Sequence, residues 1–152
     1  MGISAPRVKA ALVEVLTALL ETPNGDLVVT YGLPGQRQPA EIVAVLGQRT
    51  QIERPTVGTS RSREDIVATE IRVSVYLPGD ESIQKTVTER AWTIVDSIAQ
   101  HFRSRPNETL SGACRDAWVS SADAAEDVVR DQDVVEGCVC EIAVTVTSLA
   151  RY

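Results

Sequence analysis

Two stretches alternate apolar and polar residues with a period of two, and this constrains the fold more than any other feature of the chain. In the first, Ile71, Val73, Val75 and Leu77 interleave with Glu70, Arg72, Ser74 and Tyr76. In the second, within Cys138 to Ser148, Cys140, Ile142, Val144 and Val146 interleave with Glu141, Ala143, Thr145 and Thr147. Successive side chains of a strand point to opposite faces, so each stretch reads as a strand with one buried and one accessible face. A sheet of such strands needs a covering layer on one side.

Two helical stripes supply that layer. Val8, Ala11, Leu12, Val15, Leu16, Leu19 and Leu20 recur at helical spacing, with Ser4 as a candidate N-cap, Pro6 in the first turn and Pro23-Asn24-Gly25 as the stop. Ile83, Val87, Ala91, Ile94, Val95, Ile98 and Phe102 form the second stripe, which Asp80 or Ser82 can cap. Leu27–Tyr31 and Glu41–Leu46 are short, β-branched-rich runs between turn residues and suggest a long hairpin. Gln48 to Arg63 reads as an open polar loop. Ala113 to Val119 reads as a fourth strand, with Cys114, Asp116 and Trp118 on one side of its pleat. An acidic loop from Ser120 to Gly137 then leads to the last strand. The order is α-β-β-β-α-β-β. It predicts a single α+β domain over 1–152, an antiparallel or mixed sheet of four to five strands with both helices on one face.

With 152 residues the chain is long enough to bury a core without disulfides or metal. No apolar run approaches a membrane span, and residues 1–20 lack a signal-peptide layout, so a cytosolic or particle-bound protein is expected, with no membrane partner. Fifteen Lys+Arg against 21 Asp+Glu give a net charge of -6, which argues against a dedicated nucleic-acid coat. The only lysines are Lys9 and Lys85, so nearly all positive charge is arginine. Three cysteines, Cys114, Cys138 and Cys140, form no disulfide framework and fit a reducing compartment.

Catalytic signatures are sparse. His101 is the only histidine and falls near the end of the second helix, where a cation suits the dipole. A Ser–His–Asp arrangement through His101 and Asp96 has no nucleophile motif to support it. Cys138 and Cys140 share a strand face and read as core residues, because zinc would want further Cys or His and only Cys114 remains. No Walker loop or dinucleotide fingerprint occurs. The expectation is a non-enzyme with no cofactor and no metal.

Two blocks of charge stand out. Arg49, Arg54, Arg61 and Arg63 face only Glu53 within 48–63; Asp123, Glu126, Asp127, Asp131, Asp133 and Glu136 face only Arg130 within 120–137. Opposite patches on different surfaces of one subunit suit a head-to-tail contact that closes into a ring when the rotation permits, although two unrelated solvated loops would carry the same charges. Arg49, Arg54, Arg61, Arg63, Asp127, Asp131 and Asp133 are therefore candidate interface residues. Trp118 is a candidate interface anchor, with burial in the core as its alternative.

Several local motifs carry a resemblance. Arg61-Ser62-Arg63-Glu64-Asp65 leads into Ile71-Arg72-Val73-Ser74-Val75-Tyr76; Pro78-Gly79-Asp80 opens the second helix; Thr109-Leu110-Ser111-Gly112 precedes Arg115-Asp116-Ala117-Trp118-Val119. Following an N-terminal amphipathic helix, a hairpin and a polar loop, they make residues 5–150 resemble the tail terminator (tail completion) proteins of long-tailed bacteriophages. That resemblance implies an α/β subunit, without catalytic residues, that assembles into a ring, typically a hexamer. The ring would cap the head-proximal end of the tail tube in the virion, stop tube growth, and join a head-completion or connector protein. DNA would only pass through its lumen. The arginine-bearing loop would correspond in position to the long inter-strand loop turned toward the tube or the neighbouring subunit. The alternatives are another neck component, such as a head–tail connector or head-closure protein, or a small ligand-binding module with a deep polar pocket around His101 or the cysteines.

Overall fold

The computed structural model describes residues 4–23, 25–35, 40–52 and 64–151. Helix α1 spans Ala5–Leu20 and carries Pro6 in its first turn. Ser4 occupies the N-cap position, but its side chain makes no capping bond. Val8, Leu12 and Leu16 are fully buried, whereas Leu19 is exposed. The buried stripe is thus narrower than the seven-residue pattern, and follows the i, i+4, i+8 line that faces the sheet. Strands β1 (Leu27–Tyr31), β2 (Glu41–Ile52) and β3 (Glu64–Pro78) follow. Asp80 then accepts the Ser82 N–H at 2.9 Å and starts a 3-10 turn, Glu81–Ile83, that runs into α2, Gln84–Arg103. Burial in α2 follows the predicted stripe at Val87, Ala91, Ile94, Val95, Ile98 and Phe102.

A short 3-10 turn at Asn107–Thr109 leads to β4 (Asp116–Asp131) and β5 (Val134–Arg151). The five strands form one mixed sheet in the order β1-β2-β3-β5-β4. The chain is a single α+β domain in the expected order of elements. β1 and β2 are not a hairpin: they pair in parallel, Leu27 beside Glu41 and Tyr31 beside Val45. The connection is long enough to carry the chain back to the start of β1, where the Glu41 N–H bonds the Asp26 carbonyl at 3.1 Å. All other pairings are antiparallel.

Both helices cover the same face. Lys9 of α1 lies over the Tyr31 ring of β1 at 4.1 Å, and Arg90 of α2 makes a forked ion pair with Glu41 of β2, with Nη2 to Oε1 at 2.9 Å. The core sits between the helices and this face, formed by Val43 and Val45 of β2, Val67, Ile71, Val73 and Val75 of β3, and Cys140, Ile142, Val144 and Val146 of β5. Among the described residues, no helix covers the opposite face.

The described start of one expected loop is strand, and the other expected loop is a hairpin. Residues 48–52 continue β2, so Arg49 is a strand residue; Gln48 turns to the core face and bonds Thr69 at 3.0 Å after a bulge between Val45 and Gln48. The acidic segment is a long hairpin: β4 runs through it, Gln132-Asp133 make the turn, and β5 begins at Val134. Gln132 adopts φ 55°, which a two-residue hairpin turn requires. The eighteen residues from Ser120 to Gly137 read as loop because Ala, Asp, Glu and Ser are poor strand formers. Pairing with β5 overrides that preference. Conversely, β4 begins at Asp116, so Cys114 precedes it and does not share its pleat.

Candidate interaction surfaces

The helix-free face is built from the residues that alternate with the core. Ile42, Ala44, Leu46, Ser74, Tyr76 and Val139 floor a groove of about 500 Å³ that also has Arg72 and Glu141 on its walls. Leu33, 76% exposed, and Pro34 flank it from the β1–β2 connection. The groove contains neither His101 nor a cysteine. Arg72 is occupied by Glu70 at 3.3 Å on the same face.

A second, shallow depression brings Arg49, Glu70 and Asp123 together across the sheet. Trp118 belongs to this face as well, since it pairs with Thr147 in β5. It is 40% exposed, which corrects the core alternative: the pleat turns it away from the helices. Arg54, Arg61 and Arg63 lie outside the described residues. The described anchors of that stretch, Ile52 and Glu64, both sit at one end of the sheet, where Ile52 pairs with Asp65 and Glu64 with Arg151.

Asp127, Asp131 and Asp133 sit elsewhere. All three are exposed, Asp127 on β4, Asp131 at its end and Asp133 in the hairpin turn. β3 accompanies β5 only as far as the Pro78–Gly137 pair, so the hairpin tip projects past the sheet as a two-stranded ribbon. Val134, 67% exposed, is at its apex. Six acids against Arg130 within 123–136 give this hairpin five of the chain's six net negative charges. Asp80 and Glu81 lie at the same end, because the Gly79 N–H bonds the Glu136 carbonyl at 2.9 Å.

Sequence reasoning passed over a polar cavity of about 390 Å³ at the C-terminal end of α2, lined by Phe102, Arg103, Arg105, Glu108, Arg115 and Asp116. Arg115 holds Glu64 through two bonds of 3.0 Å, and Arg105 stands 3.9 Å from Glu108. The signal was the pair of arginines in Arg103-Ser104-Arg105-Pro106, read as no more than a polar turn.

The residues with chemical potential are otherwise engaged. His101 stacks edge-on to Phe102 and faces Asn107 at 3.4 Å, while Asp96 accepts from Gln100, so no His–Asp pair forms. All three cysteines are buried and free. Burial pushes the Cys114 thiol up to about 11 and raises that of Cys140, which keeps both protonated near neutral pH. Among the described residues, no group of three or more His, Cys, Asp or Glu is placed to hold a metal ion. Among the described residues, no helix is long and apolar enough to cross a membrane. No protein-family model matches this sequence, and no curated protein is significantly similar to it.

Proposed function

We propose that this chain is a structural subunit of a bacteriophage tail, forming a ring that caps the head-proximal end of the tail tube. In that reading the ring ends tube polymerisation and offers the surface to which a head-completion or connector protein joins. The subunit works by assembly, without catalysis or cofactor. The ring is a homo-oligomer, a hexamer by the resemblance noted above, in the virion, with DNA only passing through.

The observation that carries this reading is the separation of charge along the sheet. Asp127 lies in the row Asp127–Val139–Tyr76, twelve residues along β3 from Glu64, or about 40 Å away. Asp131 and Asp133 are farther still. The eleven residues 53–63, tethered at Ile52 and Glu64, can extend no more than about 20 Å from their anchors. Arg49 shares a depression with Asp123, but the tethered residues 53–63 and the far part of the acidic hairpin, Asp127, Asp131 and Asp133, cannot meet within one copy. Between copies they can, and a contact joining opposite ends is heterologous, the kind that closes into rings. A net charge of -6 also suits a conduit that must not hold DNA tightly.

Light scattering of the full chain across a salt series, with and without purified tail-tube protein, tests the proposal. Assembly that weakens with salt, and attachment to tube ends, are expected. A chain that stays monomeric in both settings contradicts it, and attachment to heads instead of tails would make it a different neck component.

A further inference from the structure

The cavity at the C-terminal end of α2 holds polar groups of both signs that its own chain leaves unmatched. Arg115 is neutralised by Glu64 through two bonds of 3.0 Å. Arg105 stands 3.9 Å from Glu108, and its side chain is 93% exposed, so this pair holds the guanidinium only loosely. The exposed side chain of Arg103, on the same wall, makes no hydrogen bond or ion pair with any described residue. Glu108 has the opposite need. Its side chain is only 18% exposed, and its Oε2 is buried with no donor among the described residues. A buried acceptor left without a donor costs free energy and calls for a partner. The cavity, about 390 Å³, thus presents donors on Arg103 and Arg105 and an unmet acceptor on Glu108.

We infer that this cavity receives the tip of the β4–β5 hairpin of a second copy of this chain, with Asp131 and Asp133 on Arg103 and Arg105, and Arg130 on Glu108. The inference rests on the ring reading above and names its contact. The tip matches the cavity in both signs: Asp131 and Asp133 are exposed carboxylates, and Arg130 beside them is an exposed guanidinium. Guanidinium and carboxylate groups pair through parallel, charge-assisted bonds. Arg130 and Asp131 turn to opposite faces of the ribbon, and a ribbon entering tip-first brings both faces to the cavity walls. The tip is also the part of the hairpin that gains most from a partner. Beyond the Pro78–Gly137 pair it is two strands wide, and such a ribbon alone is marginally stable in water. A copy cannot fill its own cavity. Asp116 on the cavity wall and Asp131 at the tip are the first and last of the 16 residues of β4, roughly 50 Å apart along one strand. The depression shared by Arg49 and Asp123 lies between those ends and contains none of these groups. The contact therefore joins opposite ends of two subunits, which makes it heterologous.

Analytical ultracentrifugation of the full chain across a salt series, with and without purified tail-tube protein, tests this contact. Arg103→Glu/Arg105→Glu and Asp131→Lys/Asp133→Lys are each expected to weaken association by about tenfold or more. All four side chains are exposed, so thermal unfolding should show both variants folded like the parent. Mixing the two variants should restore association to within about threefold of the parent, because unaltered tips then meet unaltered cavities and reversed tips meet reversed cavities. Arg130→Gln should weaken association of the parent, and should do so far less once Glu108→Gln is present; equal losses in the two backgrounds overturn that pairing. Copies that associate as tightly after reversal of Arg103 and Arg105, or variants that stay apart when mixed, would overturn the contact and leave the ring reading standing. A parent chain that neither self-associates nor binds tube ends overturns both.

Discussion

A methyl group at Gly137 would lie 2.5 Å from the Tyr76 ring, which folds over this glycine on the helix-free face. Gly137→Ala must displace the ring, and overpacking of this kind costs about 1–3 kcal/mol. Urea unfolding should show that loss, and should show most of it recovered in Gly137→Ala/Tyr76→Ala; equal losses with and without the tyrosine would mean that the ring is not what the methyl meets. The cysteines invite a second measurement. Because burial holds the Cys114 thiol protonated up to about 11, iodoacetamide at pH 8 should leave the folded chain unlabelled and mark all three thiols after denaturation. The linkage has a sign. The folded thiol holds its proton more tightly than an unfolded one, so this contribution to stability is present below about pH 9 and fades as the pH rises toward 11. Cys114→Ala should flatten that alkaline limb, and an unchanged limb would place its origin elsewhere.

Elements are where the sequence was most and least legible. The stripes of α1 and α2 and the alternation in β3 and β5 were readable because each has one fully buried face, so the periodicity is written in hydrophobicity itself. Even there the width is not written in the pattern: Leu12 and Leu19 look equivalent in the stripe, but only Leu12 is buried. Leu12→Ala should therefore cost about 2–5 kcal/mol in thermal or urea unfolding, and Leu19→Ala under about 0.5 kcal/mol. Near-equal losses would contradict this placement of α1. The start of β4 was legible, but beyond Val119 it was not, because little of it is buried: an edge strand of Ala, Ser, Asp and Glu has no apolar face to announce it, and its partner β5 supplies the order. The parallel pairing of β1 and β2 was hidden for a different reason. Two short apolar runs joined by turn residues predict a hairpin, and nothing local in Leu27–Tyr31 encodes direction. At the start of α2, Asp80 accepts from both the backbone and the hydroxyl of Ser82, which holds its carboxyl below the ordinary value. Its contribution is present above about pH 4 and is lost as the carboxylate protonates, so Asp80→Ala should weaken the fold at neutral pH more than in strong acid.

For the whole molecule, the same sheet explains the charge separation and the interface candidates. Asp127, Asp131 and Asp133 were legible as an acidic block, but not as an arm projecting from one end; Trp118 was legible as an aromatic beside it, but not as a residue of the uncovered face. Arg103, Arg105 and Arg115 are separate in sequence and meet only because α2 and β4 converge at the opposite end. If copies join end to end, reversing Arg61 and Arg63 to Glu should weaken association, and reversing Asp131 and Asp133 to Lys should partly restore it in the combined variant; additive losses would mean that these charges do not meet. Electron microscopy of the full chain mixed with a purified tail-tube protein tests the central claim most directly. A closed ring of copies seated on one end of each tube, with tube length no longer increasing, is the result expected. Tubes that keep growing with bare ends, and a chain that remains monomeric beside them, would contradict it.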